Sequence, residues 1–148
     1  MTEIVLPKID RSILNNKSEI VRKLAKFTNP ENVLSEADEL RPYETDALSV
    51  YTQTPLAVVL PENTQEVSEI LKYCNEQNIK VVPRGAGTGL SGGALPLQDA
   101  ILLGLGKFNK ILEIDYENKC VITQPGVTNL GITHAVEHKG FYYAPDPS

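Results

Sequence analysis

Between Gly85 and Gly93 five of nine residues are glycine, and Thr88 and Ser91 add hydroxyls. The full run reads Pro83-Arg84-Gly85-Ala86-Gly87-Thr88-Gly89-Leu90-Ser91-Gly92-Gly93-Ala94. Glycine is entropically costly to order, so a run this dense needs a compensating contact. Close backbone approach, with successive N–H groups turned on one bound anion, supplies it. A phosphate or diphosphate is the matching ligand. Arg84, just before the glycines, can add a charged bond to such a ligand or stand as a surface arginine. A flexible linker fits less well, because apolar strand-forming residues flank the run on both sides.

Three loop types compete for this stretch. A Gly-x-x-x-x-Gly-Lys-Ser/Thr loop needs its lysine for the terminal phosphates, and no lysine lies between Lys80 and Lys107. A Gly-x-Gly-x-x-Gly fingerprint is literally present at Gly87, Gly89 and Gly92. That fingerprint must open a helix, which Gly93 and Pro96 oppose, so a nicotinamide-binding module is disfavoured. What remains is a long strand-to-strand loop that binds an elongated diphosphate through backbone amides.

Other reactive residues offer less. His134 and His138 stand four apart on one expected helix face, but no third metal ligand accompanies them, and a solvated face explains them better. Cys74 and Cys120 have no metal-ligand spacing and are too few for a disulfide framework. No Gly-x-Ser-x-Gly elbow occurs, and the carboxylates are scattered as on a solvated surface. No residue is assigned a catalytic role, and no metal is expected.

The elements that must position the loop follow from periodicity. Asp10 to Phe27 reads as one or two helices, with Asn16 and Glu19 spaced for a capping box and Thr28-Asn29-Pro30 as the stop. Glu31 to Asp46 is polar and turn-rich; Tyr43 and Asp46 read as a packed tyrosine and a turn aspartate. Leu56 to Pro61 is a continuous apolar run, as expected of a strand buried on both faces. Asn63 and Glu66 start a helix whose apolar stripe is Val67, Ile70, Leu71 and Cys74. Lys80 to Pro83 is the next strand, which completes a parallel β-α-β unit. The glycine loop therefore leaves the carboxyl end of a parallel strand, where open α/β sheets bind ligands. Ala100 to Leu105 is another buried strand. Ile111–Asp115 and Cys120–Gln124 form a hairpin about Tyr116–Lys119. A helix capped by Thr128 or Asn129 runs to Lys139 and stops at Gly140, and Phe141–Tyr143 reads as a short strand.

The loop and several further runs carry a resemblance. Arg41-Pro42-Tyr43-Glu44-Thr45-Asp46-Ala47-Leu48, Lys107-Phe108-Asn109-Lys110-Ile111, Gln124-Pro125-Gly126-Val127-Thr128-Asn129-Leu130 and Tyr142-Tyr143-Ala144-Pro145-Asp146-Pro147-Ser148 join Pro83–Ala94 in it. Together they resemble the FAD-linked oxidases related to vanillyl-alcohol oxidase, and among these the FAD-binding subunits of bacterial glycolate oxidases. The resemblance implies an α+β, FAD-binding domain of the vanillyl-alcohol-oxidase type, with a parallel β-α-β part and a mixed second part. Residues 1–50 would be a helical or irregular N-terminal segment and residues 51–148 the FAD-binding domain, cut short at its end. It implies cofactor contacts from Pro83, Arg84, Gly85, Ala86, Gly87, Thr88, Gly89, Leu90, Ser91, Gly92 and Gly93. It adds Pro125, Gly126 and Val127, and Pro145, Asp146 and Ser148, as further segments lining the flavin. Some relatives tether FAD through a histidine in the loop; Thr88, with no histidine before His134, implies a non-covalent cofactor.

By the same resemblance the full-length protein would oxidise a 2-hydroxy acid such as glycolate or D-lactate, with hydride passing to the flavin. Iron–sulfur and second flavin-type subunits would take the electrons. In that family the chain continues well beyond Ser148, so this chain alone is expected to have no turnover. The alternative is a folded, inactive truncation product that binds no FAD and self-associates through uncovered strand edges.

Composition agrees with an ordinary globular chain. Its 148 residues are 41% hydrophobic and 22% charged, enough for one core. A formal charge of −5 without a basic patch argues against nucleic acid as a partner. No apolar run reaches the length of a membrane span, and no basic-then-apolar leader opens the chain. The expected location is cytoplasmic, at the inner face of the membrane where partner subunits hold it there.

Overall fold

The computed structural model describes residues 7–145. Helices α1 (Arg11–Asn15) and α2 (Lys17–Leu24) open it. The expected capping box at Asn16 does not form, because the Asn16 backbone already closes α1 through bonds to the Ile13 and Leu14 carbonyls. Its φ of −96° and ψ of 9° are also not the extended geometry of an N-cap. Asp10 is the working cap, its Oδ1 accepting the Ser12 N–H at 2.9 Å.

The main sheet has four strands, β1 (Val33–Leu34), β2 (Ala57–Val59), β3 (Lys80–Arg84) and β4 (Ala100–Gly104), in the order β1-β2-β4-β3. β2, β4 and β3 run parallel, with Val58 opposite Leu102 and Leu102 opposite Val82; β1 is antiparallel at one edge. The expected β-α-β unit is thus present, but β4 lies between its two strands. β3 is the other edge, which is where a strand tolerates a proline such as Pro83.

Alternation along the strands divides the core between two faces. Ala57, Val59, Ile101 and Leu103 join Ile13, Ile20 and Leu24 of α1 and α2 and Ile70 and Cys74 of α4 (Thr64–Glu76). Val58 and Leu102 face the opposite way, onto Leu40 of the short helix α3 (Ala37–Leu40). β1 and α3 fall in the segment read as irregular. They form because the Glu39 carboxylate accepts the Ser35 and Glu36 N–H groups at 3.0 and 3.1 Å, while Val33 pairs with Val59. The α4 start is as expected: Asn63 Oδ1 accepts the Glu66 N–H at 3.0 Å. The stripe is narrower than its pattern, since Leu71 is 43% exposed. Burial pushes the Cys74 thiol up to about 11, so it is a core residue and not a nucleophile.

At the amino ends of β3 and β4, Asp99 is buried and pairs with Lys80 at 2.7 Å, while its Oδ2 also accepts the Asp10 N–H at 2.7 Å. Burial pushes the Asp99 carboxyl up, but the Lys80 ammonium and the Asp10 amide outweigh it and hold the group below the usual carboxylate range. A carboxyl lowered on folding stabilises the fold above its unfolded value and loses that contribution as pH falls through the folded one. Urea midpoints measured from neutral pH into acid are therefore expected to fall less steeply in Asp99→Asn than in the wild type. Parallel acid limbs would remove this role.

The second sheet is the hairpin of β5 (Ile111–Asp115) and β6 (Cys120–Thr123), with an irregularity between Ile111 and Glu113. Helix α5 (Asn129–Val136) follows, Thr128 Oγ1 accepting the Gly131 N–H at 3.0 Å, and Gly140 at φ +77° ends the helical run. Phe141–Tyr143 is not a strand: it lies beside the β5–β6 hairpin, with the Phe141 ring 5.6 Å from that of Tyr116, but pairs with no strand among the described residues, and Tyr143 N–H bonds instead to Thr133 Oγ1 of α5 at 3.1 Å. No helix among the described residues is long and apolar enough to cross a membrane.

Candidate functional site

The glycine loop is rooted by Arg84. Its guanidinium Nη1 donates to the Thr45 carbonyl at 2.7 Å and the Tyr43 carbonyl at 3.3 Å, and the group lies 5.8 Å from the centre of the Tyr43 ring. These are charged hydrogen bonds with a cation–π contact, made between parts of the chain far apart in sequence. The side chain then runs directly beneath Gly87. Gly87 has φ +75°, which favours glycine, and a Cβ built there would lie 2.5 Å from Arg84 Nη2, so any larger residue must also push the guanidinium off its carbonyl partners.

Residues 43–48 form the floor of the loop. Besides the Arg84 bonds, Ala47 N–H donates to the Gly87 carbonyl at 2.9 Å, and Leu48 Cδ2 approaches Gly92. Above this floor the loop is open. Among the described residues, none of the backbone N–H groups from Gly85 to Gly93 donates to a protein acceptor. Gly85, Ala86, Thr88, Gly89, Leu90, Ser91 and Gly93 are exposed, and Gly87 and Gly92 half-buried. Pro83 is exposed on the edge strand. Solvated donors on a fixed floor can exchange water for an anion at little cost in reorganisation, which is the chemistry of a diphosphate cradle.

The second expected segment lies beside the root of the first. Leu105 N–H donates to the Arg84 carbonyl at 2.9 Å, and Gly126 sits against the Leu105 carbonyl. A Cβ on Gly126 would meet that oxygen at 2.3 Å and the Phe108 oxygen at 2.9 Å, while Gly126 N–H bonds to the same Phe108 oxygen at 2.9 Å. Pro125 is exposed and Val127 half-buried, with Val127 N–H on the Gln124 carbonyl at 3.2 Å. Of the third segment, Pro145 is tied to α5 by Asn129 Nδ2 at 3.0 Å; Asp146 and Ser148 lie outside the described residues.

Sequence reasoning missed the floor. Tyr43 and Thr45 contribute carbonyl oxygens, which no residue type advertises. It also missed a polar knot at the carboxyl ends of β2 and β4. There Lys107 donates to the Asn32 carboxamide oxygen, and the buried Asn32 donates to Glu62 at 3.1 Å and to Thr28 at 3.3 Å. His134 and His138 are both exposed, and no cluster of three metal-ligating side chains occurs among the described residues.

Comparison with known proteins bears on this geometry. A family profile described as FAD binding domain matches residues 55–148. The chain is 43% identical over 143 residues to the glycolate oxidase subunit GlcD of Escherichia coli, covering 97% of this chain and 28% of that protein. It is 35% identical over 130 residues to a D-lactate dehydrogenase of Anaerostipes hadrus, covering 87% of this chain and 27% of that one. Among solved structures, substrate-bound p-cresol methylhydroxylase matches with a TM-score of 0.73 at 29% identity, over 93% of this chain and 27% of that one. The chain thus spans under a third of the length of the proteins it matches.

Proposed function

This chain belongs to the family of FAD binding domains, and we propose from that premise that it forms the diphosphate-holding part of a flavoprotein oxidising 2-hydroxy acids. FAD is the cofactor of this domain. The observation that carries the reading is the set of loop amides from Gly85 to Gly93, unpaired with protein and held over a fixed floor. Their dipoles offer a diphosphate the donors it needs without a lysine, which suits a chain of net charge −5.

Within that reading the loop amides hold the diphosphate, and Arg84 keeps the loop on Tyr43 and Thr45. Pro125, Gly126 and Val127 stand beside that root as a second wall, and the resemblance adds Pro145, Asp146 and Ser148 as further proposed cofactor contacts. With Thr88 in the loop, the cofactor is held without a covalent bond. When bound, the flavin supplies the two-electron chemistry, accepting a hydride equivalent from the hydroxyl-bearing carbon of the acid. Glycolate and D-lactate are the proposed substrates of the whole protein, supported by the names of the relatives. The Escherichia coli relative is a subunit, which supports partner subunits as the electron acceptors, with iron–sulfur and second flavin-type subunits as the proposed kind.

The test is an absorbance spectrum of the purified chain after incubation with FAD and desalting. A retained flavin band near about 450 nm, displaced by excess ADP, is the expected result. A folded circular-dichroism spectrum without the band would remove the claim that these residues suffice to hold FAD.

A second reading, self-association, is favoured by one group of residues. Leu112, Ile122, Leu130 and Tyr142 are 61%, 52%, 62% and 74% exposed, all on the hairpin, α5 and the segment after it. β5 and β6 form a two-stranded sheet with both edges open among the described residues. Sedimentation at tens of micromolar is expected to give a dimer that Ile122→Lys returns to monomer. A wild-type monomer at that concentration would exclude it.

A further inference from the structure

The floor beneath the glycine loop contains a buried carboxyl oxygen with no partner. Asp46 is 5% exposed; its Oδ1 accepts the Leu48 N–H at 2.9 Å, while its Oδ2 has no hydrogen-bond partner among the described residues. A buried acceptor left unpaired is destabilising, and such groups in folded proteins call for an explanation. The neighbours of Asp46 narrow it. Thr45 holds Arg84 Nη1 through its carbonyl, Ala47 holds the Gly87 carbonyl, and the Leu48 side chain lies beside Gly92. Asp46 is therefore fixed between the two anchor points of a loop whose own amides from Gly85 to Gly93 lack protein acceptors. An unpaired acceptor lies in the floor, and unpaired donors lie in the loop it carries.

We propose that Asp46 is a positioning residue for the glycine loop: its Oδ2 accepts a loop N–H when the loop wraps a bound diphosphate. It acts through the loop and not by touching the ligand, so it sets which amides remain for the anion. The unbound chain keeps the unpaired oxygen, and closure on the ligand pairs it. This rests on the reading of the loop as the diphosphate cradle of FAD.

Asp46→Asn is the discriminating substitution. It preserves the oxygen that accepts from Leu48 and places an N–H₂ donor where Oδ2 stood, which can no longer accept a loop N–H. The experiment measures FAD and ADP affinity by fluorescence and calorimetry, the melting temperature of the ligand-free chain, and amide exchange across residues 85–93 with and without ADP. Expected are an affinity for both ligands weakened about tenfold or more, an unchanged or raised ligand-free melting temperature, and ADP-induced protection in the loop that the variant reduces. Asp46→Ala, which removes the acceptor without adding a donor, is expected to weaken binding in the same direction. Affinity that falls only in step with a lowered melting temperature would make Asp46 merely structural and overturn the proposal. Wild-type binding with undiminished affinity in both variants would overturn it while leaving the cradle intact. A wild-type chain that binds neither FAD nor ADP would overturn the cradle reading itself, and this one with it.

Discussion

Gly126→Ala is expected to destabilise this chain by about 3 kcal/mol, with a urea midpoint lower by about 1 M or more. The added methyl would lie 2.3 Å from the Leu105 oxygen and 2.9 Å from the Phe108 oxygen, and both are backbone atoms. A flexible side chain could swing aside; a carbonyl can move only with its peptide. Leu105 is held from the other side by its N–H on the Arg84 carbonyl, and Phe108 N–H is held by the Leu105 carbonyl at 3.0 Å. Relief of the clash must therefore displace the segment after β4, the start of α5, or the Arg84 root. FAD or ADP affinity is expected to fall as well, because the same peptide units join the two walls of the site. A variant with the wild-type midpoint would mean that the two segments approach less closely than these distances.

The second large effect is expected at Arg84. Arg84→Ala removes two charged hydrogen bonds to the Thr45 and Tyr43 carbonyls and the contact with the Tyr43 ring. With hydrogen bonds to charged groups contributing about 1.5 to 3 kcal/mol each, ADP affinity should weaken about a hundredfold if the anchored floor is what fixes the loop. Arg84→Lys is expected to recover little. A compact ammonium lacks the planar fork that reaches both carbonyls while lying against an aromatic ring. Full recovery by lysine would show that charge near the loop is what matters, and would return Arg84 to the role of a direct diphosphate ligand.

Periodicity was a sound guide where one element decides its own form. The Asn63–Glu66 start of α4, the apolar runs of β2 and β4, the hairpin about Tyr116–Lys119 and the Thr128 cap all rest on local chemistry. Pairing across the chain was another matter. Nothing in Ala100–Gly104 states that this strand sits between β2 and β3, and nothing in the two residues Val33–Leu34 signals a strand without Val59 and Val58 to receive them. Asn16 failed as a cap because its backbone was already committed to α1. Phe141–Tyr143 has strand-forming side chains, but its Tyr143 N–H is taken by the Thr133 hydroxyl of α5. In the site, the glycine loop was plain from composition, since dense glycine needs a reason. Its floor was not, because carbonyls of Tyr43 and Thr45 and an unpaired oxygen of Asp46 are properties of placement. Gly126 was singled out only through the resemblance, as a segment lining the flavin, and its close approach to the Leu105 and Phe108 backbone was not legible.

The strand that occupies the centre of the main sheet is also the last of the four to be made. During synthesis β2 and β3 emerge with their facing edges unpaired, and the position between them stays unfilled until residue 104 has left the ribosome. Non-local parallel pairing of this kind is slow to form and leaves strand edges exposed until it is complete. The stretch that carries β4 back into the gap is residues 85–99, which includes the glycine loop itself. The length and glycine content of that stretch thus set the search the chain makes to complete its core.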